Sequence, residues 1–257
     1  MRAPGLDRTA LRLGALAASL AALWLLAPSA LAAPDCIEGR ATSTEVGRPT
    51  ASTAWRAGLV GRTRLWAKVP RRDERSGDAI FPRESSWLLV LRAARDADGR
   101  CWLKVRLPTR PNAAAAWIKA DHVRLRSTGW RIVVSRRART LSVFEDGEPR
   151  RRFRVVIGAP PTPTPEGLFS IVGVWRWNPA DFLGSYILPL TAHSHVLQEF
   201  GGGDGRVGIH GRGGSSLLDP LGAARSHGCI RLSNGPIAWL VRTVGAGALP
   251  GIPVRVR

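Results

Sequence analysis

The sequence predicts a mostly β protein: a small β-rich unit, then a larger β-rich unit, with one short helix near the end. Three observations carry this. Apolar runs are short, rich in Val, Ile, Leu and Trp, and cut by turn formers, which is a strand pattern rather than a helical one. Asp98-Gly99 and Asp146-Gly147 stand between such runs, as at the tips of tight hairpins. A helical apolar face with start and stop signals follows Asn234, while the second half is otherwise poor in helix formers. At 257 residues the chain has room for two small domains or a single large one, and its 28 Gly and 19 Pro still fit a globular composition.

Residues 1–33 read as a secretory signal peptide. Arg2, Arg8 and Arg12 make a basic flank, Ala15 to Ala27 is too short for a comfortable membrane span, and Ala30-Leu31-Ala32 supplies small residues for cleavage. Cleavage is expected after Ala32 or Ala33, with an uncleaved anchor as the alternative. Residues 34–53 are polar, lack periodicity and read as a linker. Residues 54–127 carry strand-like runs at Trp55 to Val69, Trp87 to Arg92, Trp102 to Leu107 and Trp117 to Leu125. Within them C-W-L-K-V-R-L-P and A-A-W-I-K-A-D-H-V-R-L resemble the end of a bacterial Src-homology-3-like barrel. That resemblance implies a wall-binding or positioning role; the alternative is a β-rich extension of the next domain. His122 lies in a polar turn and reads as a surface residue.

Ser127-Thr128-Gly129 reads as a short linker into a second domain, residues 130–257. Ile132 to Val134, Leu141 to Phe144 and Phe153 to Ile157 make three strands, with the Asp146-Gly147 tip between the second and third. The prolines of P-P-T-P-T-P-E-G, residues 160–167, fix φ and make a rigid loop before the strand Leu168 to Ile171. Trp175 to Asp204 is the least legible stretch; Trp175, Trp177, Phe182 and Tyr186 suit either a substrate groove or packing. His193-x-His195 lacks a third ligand at a supporting spacing, so no metal site is expected. Gly201 to Gly205 reads as a flexible connection or the edge of a lid. Gly235-Pro236 starts a helix with Pro at its first position, Gly245 stops it, and Ile252 to Val256 alternates as a last strand.

The chemistry concentrates in Val207 to Asn234, V-G-I-H-G-R-G-G-S-S-L-L-D-P-L-G-A-A-R-S-H-G-C-I-R-L-S-N. A thiol attacks as thiolate and needs a base in reach and donors for the oxyanion. Cys229 is the candidate nucleophile, His210 and His227 the candidate bases, and the backbone N–H groups near Gly228 and Cys229 the candidate oxyanion hole. Arg231 pairs either with a substrate carboxylate or with a structural acid, and Asn234 fixes the loop before the helix.

This run resembles the signature of the L,D-transpeptidases (YkuD domain): a His, about fifteen variable residues, Ser/Thr-His-Gly-Cys, an apolar residue, Arg and a nearby Asn. His210, Ser226, His227, Gly228, Cys229, Ile230, Arg231 and Asn234 fill its fixed positions. V-V-I-G and T-P-E-G also match the family in the right order, so the resemblance covers about Trp130 to Arg257. It implies a YkuD-type β-sandwich with a short helix after the catalytic Cys loop. His210 is then the general acid/base, oriented by the backbone carbonyl of Gly211, where other members carry Ser. His227 is supporting; Ser226 and Arg231 are the candidate substrate contacts, with a bond to neighbouring backbone or a plain turn role as the alternatives for Ser226.

The implied reaction joins peptidoglycan stem peptides at the third-position diamino acid with release of D-alanine, without metal or cofactor, through a cysteine that carbapenems acylate. Water as acceptor gives an L,D-carboxypeptidase; a protein amine gives attachment of a wall protein. An inactive basic wall-binding protein is the alternative of another class. The implied partners are stem peptides and cell-wall polymer, for a monomer exported to the periplasm or wall, with no stable membrane span once the signal is removed.

The formal net charge of +19, nearly all from Arg, favours anionic partners; an Arg- and Ala-biased genome is the bland alternative. The basic residues are scattered apart from Arg136-Arg137 and Arg150 to Arg152, and no nucleic-acid module is present, so nucleic acid is not an expected partner. Export into an oxidising compartment leaves Cys36 and Cys101 as an open disulfide pairing whose separation the sequence does not fix.

Overall fold

The computed structural model describes residues 48–61, 63–69, 79–80 and 87–257. The expected signal peptide, most of the linker and Cys36, hence also its pairing with Cys101, lie outside the described residues. Among the described residues no helix is long and apolar enough to cross a membrane.

The first β-rich unit holds β1 (Ala54–Leu59), β2 (Thr63–Arg64), β3 (Ala79–Ile80), β4 (Trp87–Arg95), β5 (Cys101–Arg106), β6 (Ala115–Lys119) and β7 (Val123–Thr128). Five of them pair antiparallel in the order β6-β5-β4-β1-β7, and β2 pairs with β3. Alternate apolar residues bury Ala57, Leu88, Val90, Leu103, Val105 and Ile118 in one cluster. The run from Trp117 to Leu125 is two strands, because Ala120–His122 makes a single 3₁₀ turn. Asp96 closes the β4–β5 hairpin: its carboxylate accepts from Asp98 N–H, Arg100 N–H and Trp102 Nε1–H. An antiparallel sheet around a buried cluster is what the fold gives here; closure into a Src-homology-3-like barrel stays a proposal.

The second unit begins without a linker. Thr128 ends β7, and β8 (Trp130–Ser135) starts after Gly129, where a Cβ would overlap Asp146 Oδ1. Next come β9 (Thr140–Glu145), β10 (Glu148–Arg154), β11 (Ile157–Gly158), β12 (Gly167–Ser170), β13 (Trp175–Arg176), β14 (Tyr186–His193), β15 (Arg206–His210), β16 (Ala224–Ser226), β17 (Ile230–Arg231), α1 (Asn234–Val244) and β18 (Pro253–Val256). One sheet has the order β10-β9-β8-β18-β12 and another β13-β14-β15-β17, while β11 pairs with β16. Ile132, Leu141 and Val254 of the first sheet meet Leu188, Ile209 and Ile230 of the second, and Ile237 and Leu240 of α1, in one fully buried cluster.

Local chemistry explains most of these elements. Asp146 (φ 52°) and Gly147 (φ 92°) are both left-handed, the turn that matches strand twist in a two-residue hairpin. In β18 Val254 and Val256 are buried and Arg255 is exposed, as alternation requires. Helix α1 starts at Asn234, with Ser233 as its N-cap, so Pro236 is at the third helical position and not the first. Pro is tolerated there because the first N–H groups of a helix have no partner inside it. Gly245 (φ 88°) ends the helix, its N–H donating to Val241 O at 3.0 Å. The strand the sequence hides is β14. Pro189 lies in its middle, which normally argues against a paired strand. The ladder to β15 shifts register after Pro189, and Pro189 O accepts from Val172 N–H at 2.7 Å.

The two units are pinned together by buried polar contacts. Arg56 of β1, 6% exposed, donates through Nη1 to Ala248 O at 2.6 Å and Pro250 O at 2.9 Å, just before β18. Replacing it (Arg56→Ala) strands those carbonyls. The expected cost is about 2–3 kcal/mol, read as a lower urea midpoint at unchanged slope. A midpoint equal to that of the parent would show that this pin carries no stability.

Candidate active site

The parallel pairing of β15 with β17 builds the site. Its register sets Ile209 beside Ile230 and His210 beside Arg231. Successive side chains on a strand point to opposite faces. Ile209 and Ile230 go into the core, each 0% exposed, so His210, Arg231 and Cys229 share the other face. Cys229 stands one residue before β17, opposite Gly208, with His210 diagonal to it across the neighbouring strand. Gly208 has no side chain to fill that position, and its backbone reaches the thiol.

His210 is 2% exposed. Its Nδ1 lies 2.8 Å from Gly211 O. A carbonyl only accepts, so Nδ1 carries the proton and Nε2 keeps its lone pair. Burial is the largest influence on this ring and pulls its pKa from 6.5 to about 4; Arg231 adds to that, while the Gly211 and Leu183 carbonyls oppose it. Burial pushes the Cys229 thiol up, with the Gly208 backbone and Arg231 opposing. The resting pair near neutral pH is therefore thiol and neutral imidazole.

Gly211 is more than an orienting carbonyl. A Cβ there would overlap Asn234 Oδ1, as would one on Gly184. Asn234 at the start of α1 accepts from Ser185 N–H at 2.9 Å and Arg212 N–H at 3.2 Å, and donates to Pro179 O at 3.0 Å. It thus ties the β13–β14 loop beside His210. That loop carries Phe182, whose ring lies 6.3 Å from the His210 ring and 4.7 Å from Arg231 Cζ.

Ser226 and Arg231, candidate substrate contacts, each have an internal partner. Arg231 is 4% exposed and donates to Asp219 Oδ2 at 2.6 Å, so its acid is internal. Ser226 is 1% exposed; its hydroxyl donates to Cys229 O at 2.6 Å and accepts from Gly228 N–H at 3.2 Å. That bond engages one of the two amides expected to form the oxyanion hole. His227 points outward, its ring 4.9 Å from the ring of Phe200.

Sequence reasoning missed Thr164, although it stands in the quoted T-P-E-G. Its hydroxyl donates to Gly228 O at 2.8 Å and accepts from Gly158 N–H at 2.9 Å. The rigid proline loop is thereby a brace for the cysteine loop. The clue is a hydroxyl residue between prolines, but its partner is 64 residues away. His193 is also committed: its Nε2 is 3.0 Å from Asp204 Oδ2. Among the described residues no group of His, Cys, Asp and Glu is placed to hold a metal ion.

Two outcomes follow. Thr164→Val removes both bonds of the brace, at a cost of about 1–3 kcal/mol; it changes the rate at which iodoacetamide alkylates the Cys229 thiol, measured by mass spectrometry against time. An unchanged rate would show that the brace does not set the thiol. Secondly, as pH falls below 6.5 the unfolded chain protonates His210 before the folded one does, so stability is kept above 6.5 and lost toward about 4. The shift corresponds to about 3 kcal/mol. The melting temperature should fall over that interval, and His210→Gln should flatten the fall; equal slopes would remove His210 as the cause.

Residues 129–256 match the family model for YkuD, the L,D-transpeptidase catalytic domain. A Bacillus licheniformis protein assigned as the L,D-transpeptidase YkuD is 32% identical over 118 residues, which is 46% of this chain and 62% of that protein. Among solved structures, the catalytic domain of an E. faecium L,D-transpeptidase is 22% identical, covering 50% of this chain and 96% of that one at a TM-score of 0.37. An L,D-transpeptidase from Mycobacterium smegmatis is 22% identical, covering 62% and 90% at a TM-score of 0.36. The L,D-transpeptidase LdtMt1 in complex with imipenem is 18% identical, covering 62% and 91% at 0.38. On the family match, over the span that holds Cys229, His210 and Thr164, residues 129–256 are an L,D-transpeptidase catalytic domain of the YkuD family.

Proposed function

We propose that this chain is an exported peptidoglycan L,D-transpeptidase working through a cysteine acyl-enzyme. The observation that carries the reading is the shared face of His210 and Cys229 on neighbouring strands, with Nδ1 of the imidazole fixed by Gly211 O. Nε2 of His210 takes the thiol proton as Sγ attacks the carbonyl of the third, diamino-acid residue of a tetrapeptide stem. The Cys229 N–H, next to the engaged Gly228 N–H, supplies the oxyanion donor. The tetrahedral adduct collapses to a thioester as His210 returns the proton to the leaving amine of D-alanine. An amine of a second stem then attacks the thioester, loses its proton to His210, and the thiol is restored as the new amide forms.

The low pKa of His210 suits this cycle, because a weakly basic imidazole hands its proton readily to a departing amine. Arg231, held by Asp219, keeps a positive field behind the thiol without contacting the stem. Residues 54–127 act as a small Src-homology-3-like barrel that holds wall polymer, residues 1–33 direct export, and the enzyme works as a monomer on the wall, where carbapenems acylate Cys229. The imipenem complex of LdtMt1 supports the last point by family likeness alone.

The test uses the purified chain and Cys229→Ala with disaccharide-tetrapeptide, read by mass spectrometry. A dimer lacking one alanine, made only by the parent, is the expected result. Tripeptide without dimer would move the assignment to an L,D-carboxypeptidase. Absence of any product together with absence of a meropenem adduct on Cys229 would overturn the proposal.

A further inference from the structure

The hairpin between β14 and β15 hangs beside the cysteine loop. Phe200 and Gly203 exchange backbone hydrogen bonds at 3.0 and 3.1 Å, and Gly201 (φ 57°) and Gly202 (φ 78°) make the two-residue tip. Phe200 stands over His227, two residues from Cys229, at 4.9 Å between ring centres. The tip is poorly buried: Phe200 is 50% exposed and Val196 54%. Its own packing therefore does little to hold it in place.

What holds it comes from the other unit, out of the β5–β6 loop. Arg110 donates through Nη1 to Ser194 O at 2.8 Å, and through Nη2 to Leu197 O at 2.9 Å and Asp204 O at 3.0 Å, gripping both legs of the hairpin. Asn112 donates to His193 O at 2.7 Å and accepts from His193 N–H at 2.8 Å, as a strand neighbour would. Arg206 donates to Pro108 O at 3.0 Å. Gly205 (φ 68°) has no room for a Cβ, which would overlap Leu197 O and press on Arg110 Nη2.

We infer that the β5–β6 loop is a clamp on this hairpin, and that Arg110 and Asn112 are positioning residues that act through Phe200 on the acceptor side of the thioester. The inference rests on the transpeptidase reading for its kinetic part. Phe182, anchored on Asn234, stands over His210; Phe200 stands over His227; the second stem enters past a wall whose place the first unit sets. The first unit is thus part of the active-site architecture as well as a neighbour to it.

The experiment compares full-length parent, Arg110→Ala, Arg110→Lys, Phe200→Ala and the double variant Arg110→Ala/Phe200→Ala, with Arg56→Ala as a pin broken elsewhere. Amide hydrogen exchange of residues 194–205 should rise about tenfold in Arg110→Ala and little in Arg56→Ala. Lysine keeps the charge but cannot reach three carbonyls, so Arg110→Lys should resemble Arg110→Ala. The acceptor KM should rise about fivefold in Arg110→Ala with kcat within about twofold. Phe200→Ala should do the same, and the double variant no more than either, because both act through one contact. Unchanged exchange in Arg110→Ala, or additive KM effects, would overturn the clamp. The exchange arm needs no substrate, so a chain that makes no cross-links sinks the transpeptidase reading and still tests the clamp.

Discussion

The parallel contact between β15 and β17 is the constraint on which the rest depends. It is short, with Ile209 beside Ile230 and His210 beside Arg231. Its value lies in parity. Two isoleucines locked into the core force the alternate residues, His210 on one strand and Cys229 and Arg231 on the other, onto a single outer face. A slip of one residue would turn the imidazole into the apolar core and the isoleucines onto the face of Cys229. The apolar core thus fixes the register of the candidate pair, and the surrounding loops have only to refine it.

Three side chains make that refinement, buried Thr164 and Ser226 and half-buried Asn234, each acting on backbone. Thr164 braces Gly228, Ser226 closes the cysteine loop on itself, and Asn234 draws the loop of Phe182 against Gly211. Each also removes a buried polar group's desolvation cost by giving it a partner. The glycines at 184 and 211 follow from this closeness, since a Cβ at either would collide with Asn234 Oδ1.

The electrostatics follow from the same burial. A dry, half-closed face lowers the pKa of His210 and raises that of Cys229, so the resting pair stays uncharged. An ion pair formed there in advance would carry the desolvation cost of both charges. Arg231 is the fixed charge in the neighbourhood, and Asp219 together with the Phe182 ring answers it.

The sequence by itself determined the strand-rich class, the hairpin tips at Asp98-Gly99 and Asp146-Gly147, the helix stop at Gly245, and the choice of Cys229 and His210 as candidates. All of these are written in contiguous residues, as alternation, turn chemistry or a motif. The tertiary structure decided what depends on partners distant in the chain. Pro189 concealed β14 because only a register shift against β15 makes a proline tolerable there. Ser226 and Arg231 each suit more than one partner in the sequence, and packing gives them Cys229 O and Asp219. Thr164 left only the clue of a hydroxyl between prolines, and Gly208 and Arg110 left none, since a hydroxyl, a missing side chain or a guanidinium acquires its role from the backbone that packing brings within 3 Å.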